Sequence, residues 1–514
     1  MPALWTAVRR SLAVIGCLAA APALGGAQVI SLKTIPVAAG DQFLIFPSQN
    51  MGMGSVSIAL PDEWLDPFVN PALGARISGS RMFGSPVFYD ISGADGSAKT
   101  LPLGALFASG SWFAAGTLAI QQLQTGDDNV FDGPVPLAVE RTGWIVPPWW
   151  GGGGELLSDQ SASNLYAFGS VGRKLGKTAV GVSAFYGNLN AVDGVDLLYA
   201  LARNIDQYGH VADVRLGALH DFGGGRSLEV LGLRSVFSMT HDVTYVDWIW
   251  DPAPVCNDSI YGPIPCPGRI EERMERNLDR TETWGFHSRY QQPLTNTGWR
   301  LGAIFTANRK THPKIPNYEL MNIPRDPGTS WAYNAGVGLS RTMGPARFGL
   351  DLVLEPIWSH TWAAADTALT TASGGTIPLG GRTVENRFAF ANAHIRLGVA
   401  REDRRTGLQF GLQVRSISYR LDQTDLVAES SRVQRENWME WTPTWGASLK
   451  FPEFEIRYQG RVTTGTGRPG VAWTGVRGEM VTMAADFIPA PSGPLTLQDA
   501  RVLTHQVAVA LPIR

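Results

Sequence analysis

The 514-residue chain predicts an all-β fold: a transmembrane antiparallel up-and-down β-barrel of fourteen to sixteen strands, preceded by an N-terminal plug segment. Three observations predict it. Only 17% of residues are charged, while the 44% that are hydrophobic are dispersed, with 58 Gly and 17 Trp among the 514. Long segments alternate apolar and polar residues with period two. The connections between them alternate between short and long, the pattern of periplasmic turns and outer loops. No run beyond the extreme N-terminus reaches the ~18 apolar residues of a membrane helix. A net charge of −2 sets bulk nucleic-acid binding aside.

The chain begins with an export signal. Arg9 and Arg10 precede the apolar stretch Ser11 to Ala21, and Gly25-Gly26-Ala27 offers a small-residue cleavage site. Residues 1–27 therefore read as a signal peptide cleaved near Ala27, which sends the chain to the bacterial outer membrane. Val14-Ile15-Gly16-Cys17 loosely matches a lipoprotein box, but too little apolar chain precedes Cys17. Cys256 and Cys266 remain after cleavage. In an oxidising envelope compartment they are expected to form one disulfide within a loop, with two free loop thiols as the alternative. A metal would need more ligands than this pair offers.

Residues 28–80 lack sustained alternation and are rich in turn residues, so they form the plug or hatch segment, and residues 81–514 form the barrel. The expected strands are 82–91, 101–108, 111–123, 162–174, 177–190, 209–222, 226–240, 281–292, 298–308, 329–341, 346–358, 383–400, 406–420, 435–451, 453–463 and 501–514. The clearest is 331–339, where Trp331, Tyr333, Ala335, Val337 and Leu339 share one face. In 298–308, Trp299, Leu301, Ala303 and Phe305 oppose Arg300, Gly302 and Thr306. The first two strands are the weakest, hence the lower count of fourteen. Long connections are expected near 124–161, 241–280, 309–328, 359–382 and 464–500. Trp112, Trp284, Trp299, Trp331, Trp358, Trp438 and Trp445 fall near strand ends, as in an aromatic girdle.

Gly52-Met53-Gly54 is followed by Ala59-Leu60-Pro61-Asp62-Glu63 and then by Phe68-Val69-Asn70-Pro71-Ala72-Leu73. In order and position these resemble the start of the outer-membrane long-chain fatty-acid transporter superfamily (FadL-like). They also resemble its PorV-like relatives in Bacteroidota-type secretion. Such proteins carry a Gly-Met-Gly turn, an acidic pair and Asn-Pro-Ala just before the first strand. The chain departs from the pattern at Glu63, which replaces a second Asp, at Pro61, and in having no Gly after Ala72. The resemblance implies an N-terminal hatch that occludes the barrel, a hydrophobic-ligand site beside it, and lateral release of ligand into the membrane. The hatch motif would be Gly52, Gly54, Asp62, Asn70, Pro71 and Ala72. By its residues alone, Asn70-Pro71-Ala72 is a turn initiator, which fits an anchoring turn as well as a part in transport.

The inward faces are expected to carry Arg215, Arg289, Arg300, Arg347, Asp351, Arg396 and Arg415, together with Asp213, His287, Glu355, Glu440, Lys450, Glu455, Arg457 and Arg461. Charges of both signs suit ion pairs that bridge the lumen and grip the plug, or a cationic seat for an anionic group. The outer segments Pro147 to Gly154 and Trp248-Ile249-Trp250 offer exposed aromatics for capture of lipophilic ligands or for embedding in lipopolysaccharide. The Gly151–Gly154 run lacks the Lys-Ser/Thr of a phosphate loop. None of the eight His lies in a metalloprotease or serine-hydrolase motif, and only His241-Asp242 forms an adjacent pair, so no enzyme activity and no cofactor are expected. The sequence thus reads as an outer-membrane barrel for passive uptake of hydrophobic or amphipathic small molecules such as long-chain fatty acids. Its partners would be outer-membrane lipids and the hydrophobic ligand. The alternatives are a scaffold that binds an envelope protein partner and a polar-solute pore.

Overall fold

The protein is described by a computed structural model covering residues 29–34, 36, 38–93, 96–125, 161–193, 204–249, 255–258, 262–265, 269–294, 298–312, 327–365, 367–469 and 497–513. Sixteen antiparallel strands close into one barrel. They are β1 (Arg81–Gly84 and Val87–Ile91, interrupted by Ser85-Pro86), β2 (Gly96–Ser109), β3 (Trp112–Thr125), β4 (Ser161–Leu175), β5 (Thr178–Leu189), β6 (Asn204–Gly223), β7 (Arg226–Ile249) and β8 (Arg269–Leu294). The second half comprises β9 (Trp299–His312), β10 (Gly328–Met343), β11 (Ala346–Ala364), β12 (Arg382–Glu402), β13 (Thr406–Asp425), β14 (Ser430–Lys450), β15 (Glu455–Pro469) and β16 (Leu497–Pro512). Each strand pairs with the next, and β1 closes the ring on β16 with Arg81 opposite Pro512. Every expected strand is present, so the count is sixteen rather than fourteen.

The alternation is the cause of this architecture. Along each strand one face is apolar and turned outward: Leu118, Leu216 and Leu354 are 65%, 66% and 64% exposed. An exposed apolar belt around a closed barrel is stable only against lipid, because closure satisfies every strand edge and the belt then meets hydrocarbon. The protein is a bacterial outer-membrane barrel. Its turns at one end are tight, such as Gly110-Ser111, Gly176-Lys177 and Gly344-Pro345, and mark the periplasmic side.

Two expectations need correction. The stretch 241–280 is not a long loop, since β7 and β8 run for 24 and 26 residues and remain paired from Ser227–Gln291 to Ile249–Arg269. A membrane strand needs only ~9–11 residues. Here the inward face stays buried but is polar as often as apolar, with His241, Asn277 and Asp279 beside Val243, so hydrophobic alternation fades while the ladder continues. Trp438 is not part of the girdle either. Its side chain points into the lumen and packs on an apolar cluster there.

The N-terminal segment runs inside the barrel along its inward faces. Among its described residues the regular elements are short helices at Met51–Met53, Asp66–Val69 and Pro71–Arg76. On one flank Phe43, Phe46, Trp64, Phe68 and Leu73 pack against Phe83, Phe113, Tyr166 and Phe168 of β1, β3 and β4. Elsewhere its backbone lies directly on glycines of the wall. A Cβ on Gly398 or Gly302 would collide with the carbonyls of Met53 or Ile58, and one on Gly411 with the Gly54 amide. One on Gly349 would stand 2.6 Å from Val56 and one on Gly181 2.8 Å from Pro71. These wall glycines therefore serve close approach of one backbone to another.

Replacing Gly398 or Gly411 by Val should unseat residues 50–58 while leaving the barrel intact, because both side chains point into the lumen. Limited proteolysis should then cut this segment, while the electrophoretic heat-modifiability of the folded barrel stays unchanged.

Candidate functional site

All six residues of the motif lie where the segment meets the wall or braces itself. Gly54 adopts φ +69°, which favours glycine, and its amide donates to Thr444 Oγ1 at 2.9 Å. The same hydroxyl donates to the Gly52 carbonyl at 3.0 Å. Asp62 is buried and ties two passes of the chain together. Its Oδ2 accepts from Ser48 Oγ at 2.6 Å and from the amides of Gln49 and Asn50 at 2.7 and 3.1 Å. Its Oδ1 accepts from the amides of Trp64 and Leu65 at 3.1 and 3.0 Å. Asn70 Oδ1 accepts from the Ala72 amide at 3.1 Å, and Pro71 opens the helical turn that follows. The Asn70 side chain fills the space left by Gly217. Ala72 is fully buried in the apolar cluster.

The inward charges form two kinds of contact. Some grip the segment's backbone. Arg215, held by Asp213 at 2.6 Å, donates to the carbonyls of Phe68 and Val69 at 3.3 and 3.0 Å. Arg289 donates to the Ser57 carbonyl at 2.8 Å and pairs with Glu229 at 2.5 Å and Asp66 at 3.4 Å. His287 lies 3.8 Å from the same Glu229. Asp351 accepts from the amides of Ser57 and Ile58 at 2.8 and 3.2 Å, with Arg396 opposite it in the ladder. Arg300 lines a cleft at the periplasmic end with Ala59, Leu60 and Ser340. Other charges satisfy one another. Arg415 meets Glu355 at 3.1 Å, where Asn392 also donates at 3.0 Å. Arg347 pairs with Glu402, which Lys450 and Arg457 join at 2.9 and 3.2 Å, and Arg457 reaches Glu455 at 2.6 Å. Glu440 pairs with Lys33, and Arg461 donates to Asp41 at 2.9 Å.

Several partners were not singled out from the sequence. Gln291, Gln409 and Gln506 donate to the carbonyls of Ile58, Gln49 and Phe46 at 2.8, 2.8 and 3.0 Å, and Gln121 donates to that of Gln42 at 2.7 Å. The available signal was a neutral amide on an otherwise inward face. His241 and Asp242 occupy opposite faces of β7, His241 buried and Asp242 outward on Arg276 at 2.7 Å, so they do not act as a pair. Cys266, residues 147–154 and the side chains of Cys256, Trp248 and Trp250 lie outside the described residues, as do residues 1–28. No metal cluster occurs among the described residues.

In the outer half of the lumen the segment begins in an aromatic cavity. Ile30 and Leu32 insert among Ile357, Phe388, Phe390, Ile417, Tyr419 and Leu421, with Trp438 at the margin. The rings of Phe390 and Tyr419 lie 5.1 Å apart, and those of Tyr419 and Trp438 6.3 Å apart. Here the Ile30 amide donates to Asn308 at 2.7 Å, and Lys33 pairs with Glu440. Burial lowers the Lys33 ammonium from its usual range, against the pull of Glu440. Immediately toward the periplasm stand Arg415, Glu355 and His394. The site thus joins an apolar aromatic surface to a layer of paired charges, Arg415 with Glu355 and Lys33 with Glu440.

Two outcomes follow for the brace. Asp62→Ala leaves several buried donors unpaired and should cost about 3 kcal/mol or more in seating of the segment; hydrogen exchange at residues 48–50 and 64–65 would accelerate together. Burial raises the Asp66 carboxyl to about 6, with Arg289 opposing. Its folded value lies above its usual 3.8, so the stabilising neutral form is complete below about pH 4 and is lost as pH rises through 6. Protection factors at residues 66–69 should fall between pH 5 and 7.5, and Asp66→Asn should flatten that dependence.

No family model and no curated protein matches the sequence. Among solved structures, the chain is similar to a FadL homologue of Pseudomonas aeruginosa at 11% identity and a TM-score of 0.45, covering 93% of this chain and 100% of that one. It is similar to the toluene transporter TodX of Pseudomonas putida at 12% identity and 0.39, over 90% and 97% of the two chains. The toluene transporter TbuX of Ralstonia pickettii gives 11% identity and 0.37, over 90% and 97%.

Proposed function

We propose that this barrel mediates passive uptake of hydrophobic or amphipathic small molecules, with a long-chain monocarboxylate as the best-fitting cargo, and that residues 28–80 act as its hatch. The observation that carries the reading is the aromatic cavity of Phe388, Phe390, Tyr419 and Trp438 in the outer half of the lumen. It is filled by two aliphatic side chains of the N-terminal segment, Ile30 and Leu32. An apolar tail of similar width could replace them at little cost, since one burial exchanges for another. Arg415 and Lys33 stand at the inner margin, where a carboxylate would meet charge-assisted donors. Pairing of the lumen charges with one another and with the segment argues against an open polar pore.

The test is uptake of a labelled long-chain fatty acid by a host that lacks its own importer and carries this gene, with outer-membrane insertion verified. Restored uptake supports the reading; none despite insertion rejects this cargo. The double variant Phe390→Ala, Tyr419→Ala should lower uptake about tenfold or more with insertion unchanged. Deleting residues 28–75 should convert a nearly silent barrel into a conducting one in planar bilayers, and unchanged conductance would reject the hatch.

A further inference from the structure

The outward face carries a feature that lumen transport does not use. Reading across the ladders, Arg309 lies opposite Trp331, Trp331 opposite Trp358, Trp358 opposite Ala389, Ala389 opposite Arg420, and Arg420 opposite Arg435. All six side chains point away from the lumen, so they form one row across β9 to β14. On its periplasmic side each strand is apolar: Phe305, Val337, Leu354, Ile395, Phe410 and Met439 are exposed there. On its outer side the same faces turn polar, with Thr311, His360, Arg387 and Asp422. The row therefore marks the boundary between hydrocarbon and headgroups of the outer leaflet.

The charge there is unbalanced. On these outward faces, at the row and beyond it, Arg309, Arg382, Arg387, Arg420 and Arg435 face two carboxylates among the described residues, Glu385 and Asp422. Glu385 already serves Arg382, Arg387 at 3.4 Å and His360 at 2.9 Å, and Asp422 serves Arg420 at 2.7 Å. Arg420 and Arg435 are direct cross-strand neighbours with one carboxylate, Asp422 on Arg420, so the pair keeps a net positive charge. The indole rings alongside give flat surfaces at headgroup depth.

We propose that this row is a binding strip for a phosphorylated glycolipid of the outer leaflet, its phosphates held by Arg420, Arg435 and Arg309 and its sugars laid on Trp331 and Trp358. Guanidinium groups match phosphate oxygens bidentately, and clustered arginines at a membrane surface select anionic headgroups. The strip lies outside the barrel, so it neither needs nor affects the uptake reading.

The test uses the full chain in phosphatidylcholine nanodiscs doped with one probe: bisphosphorylated lipid A, its fully dephosphorylated form, or phosphatidylglycerol. Lipid retained through delipidation is counted by native mass spectrometry. The wild-type protein should retain bisphosphorylated lipid A at least tenfold better than either other probe. The variant Arg309→Gln, Arg420→Gln, Arg435→Gln should lose that preference, whereas Arg173→Gln at the periplasmic end should keep it. Equal retention of the dephosphorylated form or of phosphatidylglycerol by the wild type would overturn the proposal, as would undiminished preference in the triple variant. The comparison of probes on the wild type decides the matter even if the variant does not insert.

Discussion

An irregular chain inside a barrel must find a partner for nearly every buried amide and carbonyl, and the rest of this structure answers that need. The N-terminal segment has little secondary structure of its own. Its polar backbone groups are therefore met by the wall: Asp351 and Thr444 take its amides, while Gln291, Gln409, Gln506, Arg215 and Arg289 serve its carbonyls. Where no side chain intervenes, wall glycines let the two backbones meet. The polar lumen is thus largely the complement of one segment. Its charges are matched in place because an unmatched one would be costly to bury.

The lumen is divided. Toward β1–β7 the segment packs through aromatic and aliphatic side chains, with Phe46 stacked on Phe68 at 4.6 Å. Toward β8–β15 hydrogen bonds and ion pairs hold it as well, while Arg215 of β6 and Gln121 of β3 bond it on the first flank and Ile30 and Leu32 pack among β11–β14. An apolar interface is insensitive to pH and tolerates sliding, whereas the hydrogen-bonded side fixes register. Asp62 connects the two by tying residues 48–50 to the start of the 66–69 helix.

The exterior obeys a different solvent. Its apolar belt is set by lipid, and its upper limit is drawn by tryptophan and arginine together. Arg234 over Trp284 at 5.3 Å continues the row beside Arg309, and Arg382 over Trp362 at 4.6 Å repeats the pairing just outside it. Strands that continue past this limit, β7 and β8 above all, are held by ladder hydrogen bonds in water.

The sequence by itself determined the barrel, where its strands run and which face of each is turned to lipid, with a count of fourteen to sixteen that the closed sheet fixed at sixteen. These depend on period-two alternation between neighbours in the chain, and Trp331 to Leu339 displays it without tertiary context. It also located the short motif Gly52 to Ala72, because turn chemistry is local. Only the tertiary structure decided what the motif touches. The meeting of Gly54 with Gly411, of Ser57 with Asp351 and of Phe68 with Arg215 joins residues far apart in sequence, and barrel closure alone sets their register. Trp438 shows the limit well: an indole near a strand's end reads as girdle, yet the parity of its strand turns it inward. The 241–280 ladder was hidden for a related reason, since buried polar residues such as His241, Asn277 and Asp279 erase the hydrophobic contrast by which strands are read.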